Sequence, residues 1–453
     1  MEIKPILDPE FVPAVLWNRA FEQEAENSSV AVTIGLFRDD KVVAKRAVKV
    51  LADADRSFKY IERLLKTLLW AVGGNRILFA GPDELFQRLE KHYTESPVGR
   101  FDSEIIGEKI YDHAIRVEKE LAEDIPEPSA EGKALGRHLD GCRIGFDLGG
   151  SDRKCAALID GEVVFSEEIK WDPYFEKNPQ YHVAGIMDSL KRAAEHLPRV
   201  DAIGGSAAGV YVNNEVRVAS LFRGIAPADF EASVRRIFFN LKERWGNVPF
   251  EVVNDGEVTA LAGSISMNEN AVLGLSMGTS QAVGYVTPEG NITASLNELA
   301  FAPVDYREDA PADEWSGDRG CGAQYFSQQA VARLAPLASL DFPAGMPFPE
   351  RLVEVQKLMA AGDERAAKIY STIGTYLGYA IAHYAEFYEI HNVLLLGRVT
   401  SGKGGYLIIQ KANVVLFRCF QSLEKRIKIV TPNEKDKRHG QAVAAASLPL
   451  ISR

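Results

Sequence analysis

The segment Ile144–Lys154, with the sequence I-G-F-D-L-G-G-S-D-R-K, decides the fold of this chain. Its first half alternates apolar side chains with a glycine and with Asp147, which is the period of a β-strand. Gly149 and Gly150 then predict a tight turn, and Cys155–Ile159 predicts the returning strand. An Asp-Gly pair follows, which is a strong hairpin signal. The sequence therefore predicts a β-hairpin that begins a larger sheet.

The tip of this hairpin carries one carboxylate, two glycines, one hydroxyl and one ammonium group, from Asp147, Gly149, Gly150, Ser151 and Lys154. Glycines allow backbone N–H groups to approach an anion closely, and a lysine adds positive charge. The tip is therefore a candidate phosphate loop. An ordinary glycine-rich hairpin with a solvated aspartate is the open alternative.

Composition limits the possible classes of protein. A chain of 453 residues is too long for one core, so we expect two or three domains. Hydrophobic residues at 46% and charged residues at 25% are typical of a soluble globular protein, and a net charge of -11 argues against nonspecific binding to nucleic acid. No signal peptide and no apolar run of ~20 residues is visible, so we expect neither secretion nor a membrane span. Four scattered cysteines without a C-x-x-C pattern predict reduced thiols in a cytoplasmic protein.

Residues 1–137 are predicted to form an amino-terminal extra domain of strands and helices. It lacks a basic recognition helix, so DNA binding is not favoured. Residues 123–131 contain two prolines and four acidic residues and are predicted to be a linker. A truncated chain that begins near Gly136 is expected to keep nucleotide binding and some activity; the alternative is that the domain completes the substrate site. The predicted elements are strands at Val30–Phe37, Val42–Val50 and Arg76–Ala80 and helices at Phe58–Val72 and Pro82–His92.

A second informative stretch is Pro249–Gly263, P-F-E-V-V-N-D-G-E-V-T-A-L-A-G. A short apolar strand is followed by good helix formers, so Asn254 and Asp255 lie where the strand ends and the helix begins. Ligands bind at this position in α/β sheets, and a carboxylate there can act as general base on a hydroxyl. Asn and Asp are also preferred helix N-caps, which is the open structural alternative.

A third stretch, Val272–Val286, predicts two strands around the turn Gly278-Thr279-Ser280. A glycine and two hydroxyls at a hairpin tip can hold phosphate oxygens, although another ordinary turn is the alternative. Two such tips, with an aspartate at a strand end between them, are harder to explain as ordinary turns than any one of them alone.

From about Arg143 to its end, the chain resembles the ROK family (repressors, open reading frames and sugar kinases) of the sugar kinase, hsp70 and actin superfamily. The matching motifs occur in the family's order over about two-thirds of the chain. The resemblance implies a first phosphate loop, a sugar-binding Asn-Asp pair whose aspartate is the general base, a second phosphate loop, a sugar-binding glutamate and an adenosine-side glycine. The matching positions are Asp147, Gly149, Gly150 and Ser151; Asn254 and Asp255; Gly278 and Thr279; Glu298; and Gly397. Lys154 is a further candidate cofactor contact, and Ser280 is another although it replaces the third glycine of the second loop.

The resemblance also implies an α/β fold of two RNase H-like (actin-like ATPase) lobes around a cleft, plus the amino-terminal α/β extra domain. The first lobe would cover residues 138–258 and the second 259–453, with a C-terminal helix at His439–Ser447 returning to the first lobe. The implied activity is ATP-dependent phosphorylation of a sugar hydroxyl, with magnesium held through water on Asp147. Family habit suggests a homodimer.

Several positions depart from the family pattern. The four zinc-ligand positions are Phe301, Glu314, Ser316 and Cys321, so no structural zinc is expected. Ala323 stands in place of a second sugar-binding glutamate, and Arg398 in place of a second adenosine-side glycine. These departures keep a second hypothesis open, namely a catalytically weak sugar- or nucleotide-binding sensor.

Overall fold

The computed structural model describes residues 2–39, 41–129, 135–432 and 440–451. The chain forms two compact units. Unit 1 comprises Met1–Glu131, Leu275–Val283 and Ser295–Val430. Unit 2 comprises Gly132–Gly274, Gly284–Ala294 and Thr431–Arg453.

The strands follow the predicted alternation of apolar and polar residues closely, and Arg76–Ala80 matches its prediction at both ends. They are β1 (Ala31–Arg38), β2 (Lys41–Lys49), β3 (Arg76–Ala80), β4 (Arg116–Lys119), β5 (Cys142–Leu148), β6 (Asp152–Ile159), β7 (Glu162–Lys170), β8 (Ala202–Ala207), β9 (Val210–Val212), β10 (Glu215–Val218), β11 (Phe250–Asn254), β12 (Val272–Met277), β13 (Gln281–Val286), β14 (Asn392–Leu396) and β15 (Lys428–Val430).

Helices occupy the segments between the strands and cover their faces. In the part of the chain that the structure describes, none has the length and apolar character needed to cross a membrane. They are α1 (Ala14–Ala25), α2 (Ala54–Ala71), α3 (Asp83–Glu95), α4 (Pro97–Asp102), α5 (Pro179–Ala194), α6 (Pro227–Asp229), α7 (Ile237–Arg244), α8 (Asp255–Met267), α9 (Gln328–Leu337), α10 (Phe348–Ala360), α11 (Glu364–Tyr384), α12 (Gly402–Cys419), α13 (Gln421–Glu424) and α14 (Gly440–Ala446).

The sheet of unit 2 has the strand order β11-β8-β5-β6-β7. An antiparallel meander of β5, β6 and β7 is extended by two strands parallel to β5. This order is that of an RNase H-like lobe, and it brings the carboxyl ends of β5, β8 and β11 to one edge of the sheet. Helix α14 packs on β5 and β8. A Cβ on Gly145 or Gly204 would overlap a backbone carbonyl of α14, so both glycines permit this close approach.

A second sheet has the order β13-β12-β14-β15, in which β14 and β15 are parallel. Helices α11 and α12 pack together beside it in unit 1, and α11 is buried over most of its 21 residues. The tip between β12 and β13, residues 278–280, belongs to unit 1.

The amino-terminal sheet has the order β2-β1-β3-β4, with β3 antiparallel to β1 and β4 parallel to β3. In unit 2 the corresponding strand β8 is parallel to β5, so the amino-terminal sheet does not repeat that arrangement. Within the predicted linker, Ile125 is 1% exposed and belongs to a hydrophobic cluster with Phe37, Val42 and Leu78, whereas the other described residues of 123–129 are exposed. Residues 130 and 131 lie outside the described residues.

Residues 230–245, whose apolar spacing is typical of a helix, do not form one continuous helix. Phe230–Val234 forms a π-helical turn, and α7 begins only at Ile237. The Arg235 carbonyl accepts a hydrogen bond from the Val216 N–H at 3.0 Å, which uses the acceptor that a continuous helix would keep for itself. The C-terminal helix covers Gly440–Ala446, and His439 of its predicted range lies outside the described residues.

Candidate active site

Asp147 lies at the second-to-last position of β5, with Lys154 of β6 and Ser206 of β8 opposite it in the sheet. The Ser206 hydroxyl donates to Asp147 Oδ1 at 2.6 Å, and Lys154 Nζ lies 3.5 Å from Oδ2. Burial raises the pKa of Asp147, although both partners act in the opposite direction. One carboxylate oxygen is therefore held by a hydroxyl and the other faces an ammonium group.

Lys154 is shared between two carboxylates, because its Nζ also lies 3.3 Å from Asp152 Oδ1. Burial lowers the pKa of Lys154, but Asp147 and Asp152 outweigh that effect, so its pKa is raised. The side chain therefore keeps its positive charge at the edge of the sheet where the hairpin turns.

The tip between β5 and β6 is held by backbone and indole contacts. Gly149 N–H donates to the Asp152 carbonyl at 2.9 Å, and the Gly149 carbonyl accepts from the Trp171 indole at 2.7 Å. The Trp171 N–H donates to the Ser151 carbonyl at 3.1 Å. The Gly149 amide is thus used by the turn itself, and Trp171 fixes the loop from outside.

Neither Gly149 nor Gly150 has a positive φ, so the two glycines are not required by backbone conformation. Gly150 provides space instead, because a Cβ there would overlap the Tyr174 hydroxyl. The predicted turn is correct, but the physical reason for Gly150 is the aromatic ring packed against it.

Asn254 and Asp255 lie at the junction of β11 and α8, as the pattern predicts. Asn254 is the N-cap: its Oδ1 accepts from the Gly256 N–H at 2.7 Å. Its Nδ2 donates to the Gly209 carbonyl at 2.7 Å, so both ends of the amide contact backbone. Asp255 is the first residue of the helix and accepts from the same Gly256 N–H at 3.0 Å. Since Asn254 performs the capping, Asp255 is not needed for it.

The Asp255 carboxyl lies mostly within the protein but keeps part of its surface exposed. Burial raises the pKa of Asp255 to about 6, and the negative charge of Asp147 acts in the same direction. A carboxylate with such a pKa is ionised at neutral pH yet is a stronger base than an exposed one, which is the property that general base catalysis needs.

The second tip, Gly278-Thr279-Ser280, lies in unit 1. Gly278 N–H donates to the Ser280 carbonyl at 3.0 Å, and the Gly278 carbonyl accepts from the Gln328 N–H of α9 at 2.9 Å. Thr279 and Ser280 are exposed. Around Gly278 there is open space, because the nearest atom to a Cβ would be the Ser280 carbonyl oxygen at 3.7 Å.

Gly397 follows β14 with φ +92°, a conformation that favours glycine, and a Cβ there would overlap the backbone of Met277. The predicted adenosine-side turn and the second tip therefore lie next to each other within unit 1. Arg398 follows, with an exposed side chain and a carbonyl that accepts from the Gln356 amide at 2.7 Å.

The segment of Glu298 is held by the end of α2. Residues 296, 297 and 298 donate their backbone N–H groups to carbonyl oxygens at 3.2, 2.9 and 2.9 Å. Asn297 has φ +52° and is 1% exposed, and its Oδ1 accepts from the Tyr388 hydroxyl at 2.8 Å. The Glu298 side chain is partly exposed. The three acceptor carbonyls belong to Val72, Ala71 and Trp70.

The four positions that align with the family's zinc ligands have other surroundings here. The Phe301 ring lies 4.3 Å from the Trp70 ring, centre to centre. Cys321 is fully buried, the Ser316 hydroxyl donates to Asp313 Oδ2 at 2.9 Å, and Glu314 is exposed. Among the described residues, no group of three or more His, Cys, Asp or Glu side chains is arranged to hold a metal ion.

Some contacts of the site are not evident in the sequence. Ser206 lies in the run G-G-S-A-A-G at residues 204–209, whose small side chains leave room for a ligand or for a close backbone. Gly204 lies against α14 and Gly205 against the Phe146 ring, while the Ser206 hydroxyl donates to Asp147. No sequence motif indicated that Trp171 and Tyr174 contact the first hairpin tip. Asn214 has a positive φ and binds the β11 backbone through both ends of its amide.

The strand order of unit 2 is that of an RNase H-like (actin-like) fold, with Asp147 near the end of β5 and Asp255 directly after β11. No protein-family model and no curated protein matches this chain in sequence. Among solved structures, it is similar to a ROK hexokinase from Thermus thermophilus, with a TM-score of 0.53 and 18% identity over 67% of this chain and 96% of that one.

It is also similar to a candidate sugar kinase from Cytophaga hutchinsonii, with a TM-score of 0.50 and 15% identity over 68% of this chain and 98% of that one. The chain therefore has the fold of ROK-family sugar kinases, with about a third of its length in addition. This confirms the predicted fold class and, at the level of the fold, the predicted resemblance.

Proposed function

We propose that this chain is an ATP-dependent kinase that phosphorylates a hydroxyl group of a sugar or sugar-like compound, with Asp255 as general base. The observation that carries the proposal is the carboxylate of Asp255, whose pKa is raised to about 6, at the start of α8. Asn254 caps that helix, so capping does not explain the aspartate at the next position.

In the proposed reaction, Asp255 takes the proton of the substrate hydroxyl, and the oxygen of that hydroxyl forms a bond to the γ-phosphorus of ATP. The bond from that phosphorus to the bridging oxygen breaks, and ADP leaves. Asp255 ends the step as a carboxylic acid, and its raised pKa makes this proton transfer more favourable. Lys154, whose Nζ lies 3.5 Å from Asp147 Oδ2, supplies positive charge next to that carboxylate.

Magnesium accompanies ATP in such reactions and neutralises charge on the phosphoryl group. The residues of unit 2 fit it, because Mg²⁺ commonly binds through one or two carboxylates together with phosphate oxygens and water. Asp147 would be the carboxylate: Ser206 orients one of its oxygens, and the other faces Lys154 without a short ion pair.

The remaining roles are part of the proposal. Gly149, Gly150 and Ser151 would form one phosphate loop, and Gly278, Thr279 and Ser280 the other, with Gly397 on the adenosine side. Asn254 and Glu298 would bind the sugar. The name of the Thermus thermophilus protein, a hexokinase, supports a sugar as the substrate class. A homodimer in the cytoplasm, with ATP and a sugar as its small-molecule partners, completes the proposal.

A sugar- or nucleotide-binding sensor is the second candidate. It is favoured by Asn254, whose amide binds the Gly256 and Gly209 backbone at both ends and is less available to a sugar. It is also favoured by Arg398, whose side chain occupies the position after Gly397.

The test is a coupled ADP-release screen with magnesium and ATP over hexoses, amino sugars, pentoses and cyclitols, together with titration calorimetry. Asp255→Asn is the test variant. Asp55→Asn is its matched control, since Asp55 is an exposed carboxylate in the first turn of α2. Turnover that disappears in Asp255→Asn and persists in Asp55→Asn supports the kinase. Binding of sugar or nucleotide without turnover supports the sensor, and a folded protein that binds neither contradicts both candidates.

A further inference from the structure

The end of helix α2 lies directly against the backbone of Glu298. The last carbonyl groups of a helix have no partner within the helix. Here the carbonyls of Trp70, Ala71 and Val72 accept hydrogen bonds from the backbone N–H groups of residues 298, 297 and 296. These three bonds fix the backbone that presents the Glu298 side chain.

Two cations of α2 bind the loop that contains Asp318. Lys66 is 1% exposed, and its Nζ lies 2.7 Å from Asp102 Oδ1 and 3.3 Å from Asp318 Oδ2. Arg63 donates to both oxygens of Asp318, at 3.0 and 3.1 Å. A buried lysine between two carboxylates tolerates little displacement, because a shift of any of the three groups leaves charge unpaired in the interior.

The Asp318 loop is in turn paired with the Glu298 segment. Val304 N–H donates to the Gly320 carbonyl at 2.8 Å, and Gly322 N–H donates to the Ala302 carbonyl at 3.0 Å. A displacement of the loop would therefore be transmitted to residues 298–304 through backbone hydrogen bonds.

Trp70 joins the two sets of contacts. Its indole N–H donates to Asp102 Oδ1 at 3.0 Å, the oxygen that also binds Lys66. Its ring lies against Phe301, three residues after Glu298, and the Phe101 ring lies 5.6 Å from the Phe301 ring on centres. Backbone, charge and aromatic contacts from the amino-terminal residues thus converge on one segment.

We propose that α2 is a positioning element for Glu298 and that Lys66 is its positioning residue, so that the amino-terminal part of the chain sets the affinity for the sugar. That the ligand is a sugar rests on the proposed function. The hydrogen bonds that fix the backbone of residues 296–298 are observed independently of it. Nucleotide affinity should be unaffected, because the tip at Gly278 is held by α9 and by the turn at Gly397.

Amide hydrogen exchange tests the positioning without any substrate. In Lys66→Met, which keeps the apolar stem and removes the charge, the amides of residues 296–298 should exchange about tenfold faster or more, while Gly149 and Gly278 keep their wild-type rates. The control is Arg56→Gln, which removes an exposed cation of the same helix that pairs with Glu24. A folded Lys66→Met protein with unchanged exchange at residues 296–298 overturns the proposal.

Steady-state kinetics test the consequence for the substrate. The KM of the sugar that the screen returns should rise about tenfold or more in Lys66→Met, with the KM of ATP within about twofold of wild type. Trp70→Phe keeps an aromatic ring beside Phe301 but loses the N–H to Asp102 together with part of the buried indole. It should raise the KM of the sugar by a smaller factor than Lys66→Met, and it serves as the second variant if Lys66→Met does not fold. Equal changes in both KM values, or none in either variant, contradict the proposal.

The two experiments separate this inference from the proposed function. Faster exchange at residues 296–298 in a protein that phosphorylates no sugar would support the positioning role of α2 and overturn the kinase. Sugar turnover with unchanged exchange and unchanged KM in both variants would leave the kinase standing and overturn the role of α2.

Discussion

The surroundings of Asp255 and of Glu298 are built in different ways. Asp255 and its neighbours Asp147, Lys154 and Ser206 come from β5, β6, β8 and α8, elements of one sheet and its helix within unit 2. Glu298 is held by α2, which lies in the first third of the chain. The proposed base is thus supported by the common fold, while the proposed sugar ligand depends on the residues added to it.

The largest effect expected from this difference follows deletion of the amino-terminal residues. A chain that begins at Gly136 loses α2 and also Phe11 and Asp8, which pack on Tyr376. Each large apolar side chain exposed costs roughly 1.5–3 kcal/mol, and a protein has only about 5–15 kcal/mol in total. We therefore expect unit 1 not to fold cooperatively, in contrast to the sequence-based expectation of a separable domain.

The measurement is thermal unfolding followed by circular dichroism and limited proteolysis, with the full-length chain as control. A monodisperse truncated protein with a wild-type melting temperature and wild-type nucleotide affinity would show that the amino-terminal residues are dispensable for unit 1.

The second effect concerns Asp255 alone. Asp255→Asn should lower kcat by ~10²–10⁴, because an amide cannot accept the substrate proton. The fold should be retained, since the N-cap is Asn254. Turnover is measured by ADP release, with circular dichroism as the check on folding. Wild-type turnover in this variant would mean that Asp255 is not the base.

The pH dependence of the reaction should report the same residue. Because Asp255 must be ionised and burial raises its pKa to about 6, kcat/KM should fall about tenfold per pH unit below that value and level off above it. The profile is recorded from pH 4.5 to 8.5 with wild-type protein. An acid limb centred near pH 4, the range of an ordinary aspartate, would contradict the environment described for Asp255.

As pH rises, the contribution of Asp255 to the free energy of unfolding should decrease, whereas activity should increase. The pKa of Asp255 is raised on folding, so the stabilisation it offers is complete when the carboxyl is protonated in both states and is lost as pH rises through about 6. Asp255→Asn removes this penalty and should be more stable than wild type by about 1–3 kcal/mol at pH 7.5, with little difference at pH 4. Urea unfolding at the two pH values measures this, and a variant less stable than wild type at pH 7.5 would contradict it.

The smallest effect compares the two hairpin tips. Gly150→Ala should destabilise the protein by about 1–3 kcal/mol, because its Cβ would overlap the Tyr174 hydroxyl. Gly278→Ala should cost less than about 1 kcal/mol, because the nearest atom lies 3.7 Å from the new Cβ. Urea unfolding of the two variants provides the comparison. Equal losses of stability in the two variants would show that the Tyr174 ring moves aside for the new Cβ.

The sequence predicted the local elements well where a clear period was present. The hairpin at Ile144–Lys154, the strand Arg76–Ala80 and the junction at Asn254 are observed close to their predicted positions. Prediction from the sequence was less accurate where contacts with residues distant in the chain determine the local structure. Residues 230–245 have the apolar spacing of one helix but form an interrupted one, and Ile125 of the predicted linker packs into a hydrophobic cluster with residues of the amino-terminal sheet.

The sequence by itself determined the two glycine-bearing tips and the position of Asp255, since these follow from periodicity and from residue types that are adjacent in the chain. The fold class was implied by the resemblance of its motifs to a known family. Only the tertiary structure decided that Asn254 is the cap and that α2 supports Glu298. Lys66 and Asp102 are 36 residues apart, and Arg63 and Asp318 are 255 apart. A buried charge takes whichever partner the packing brings to it, and local sequence carries no record of that choice.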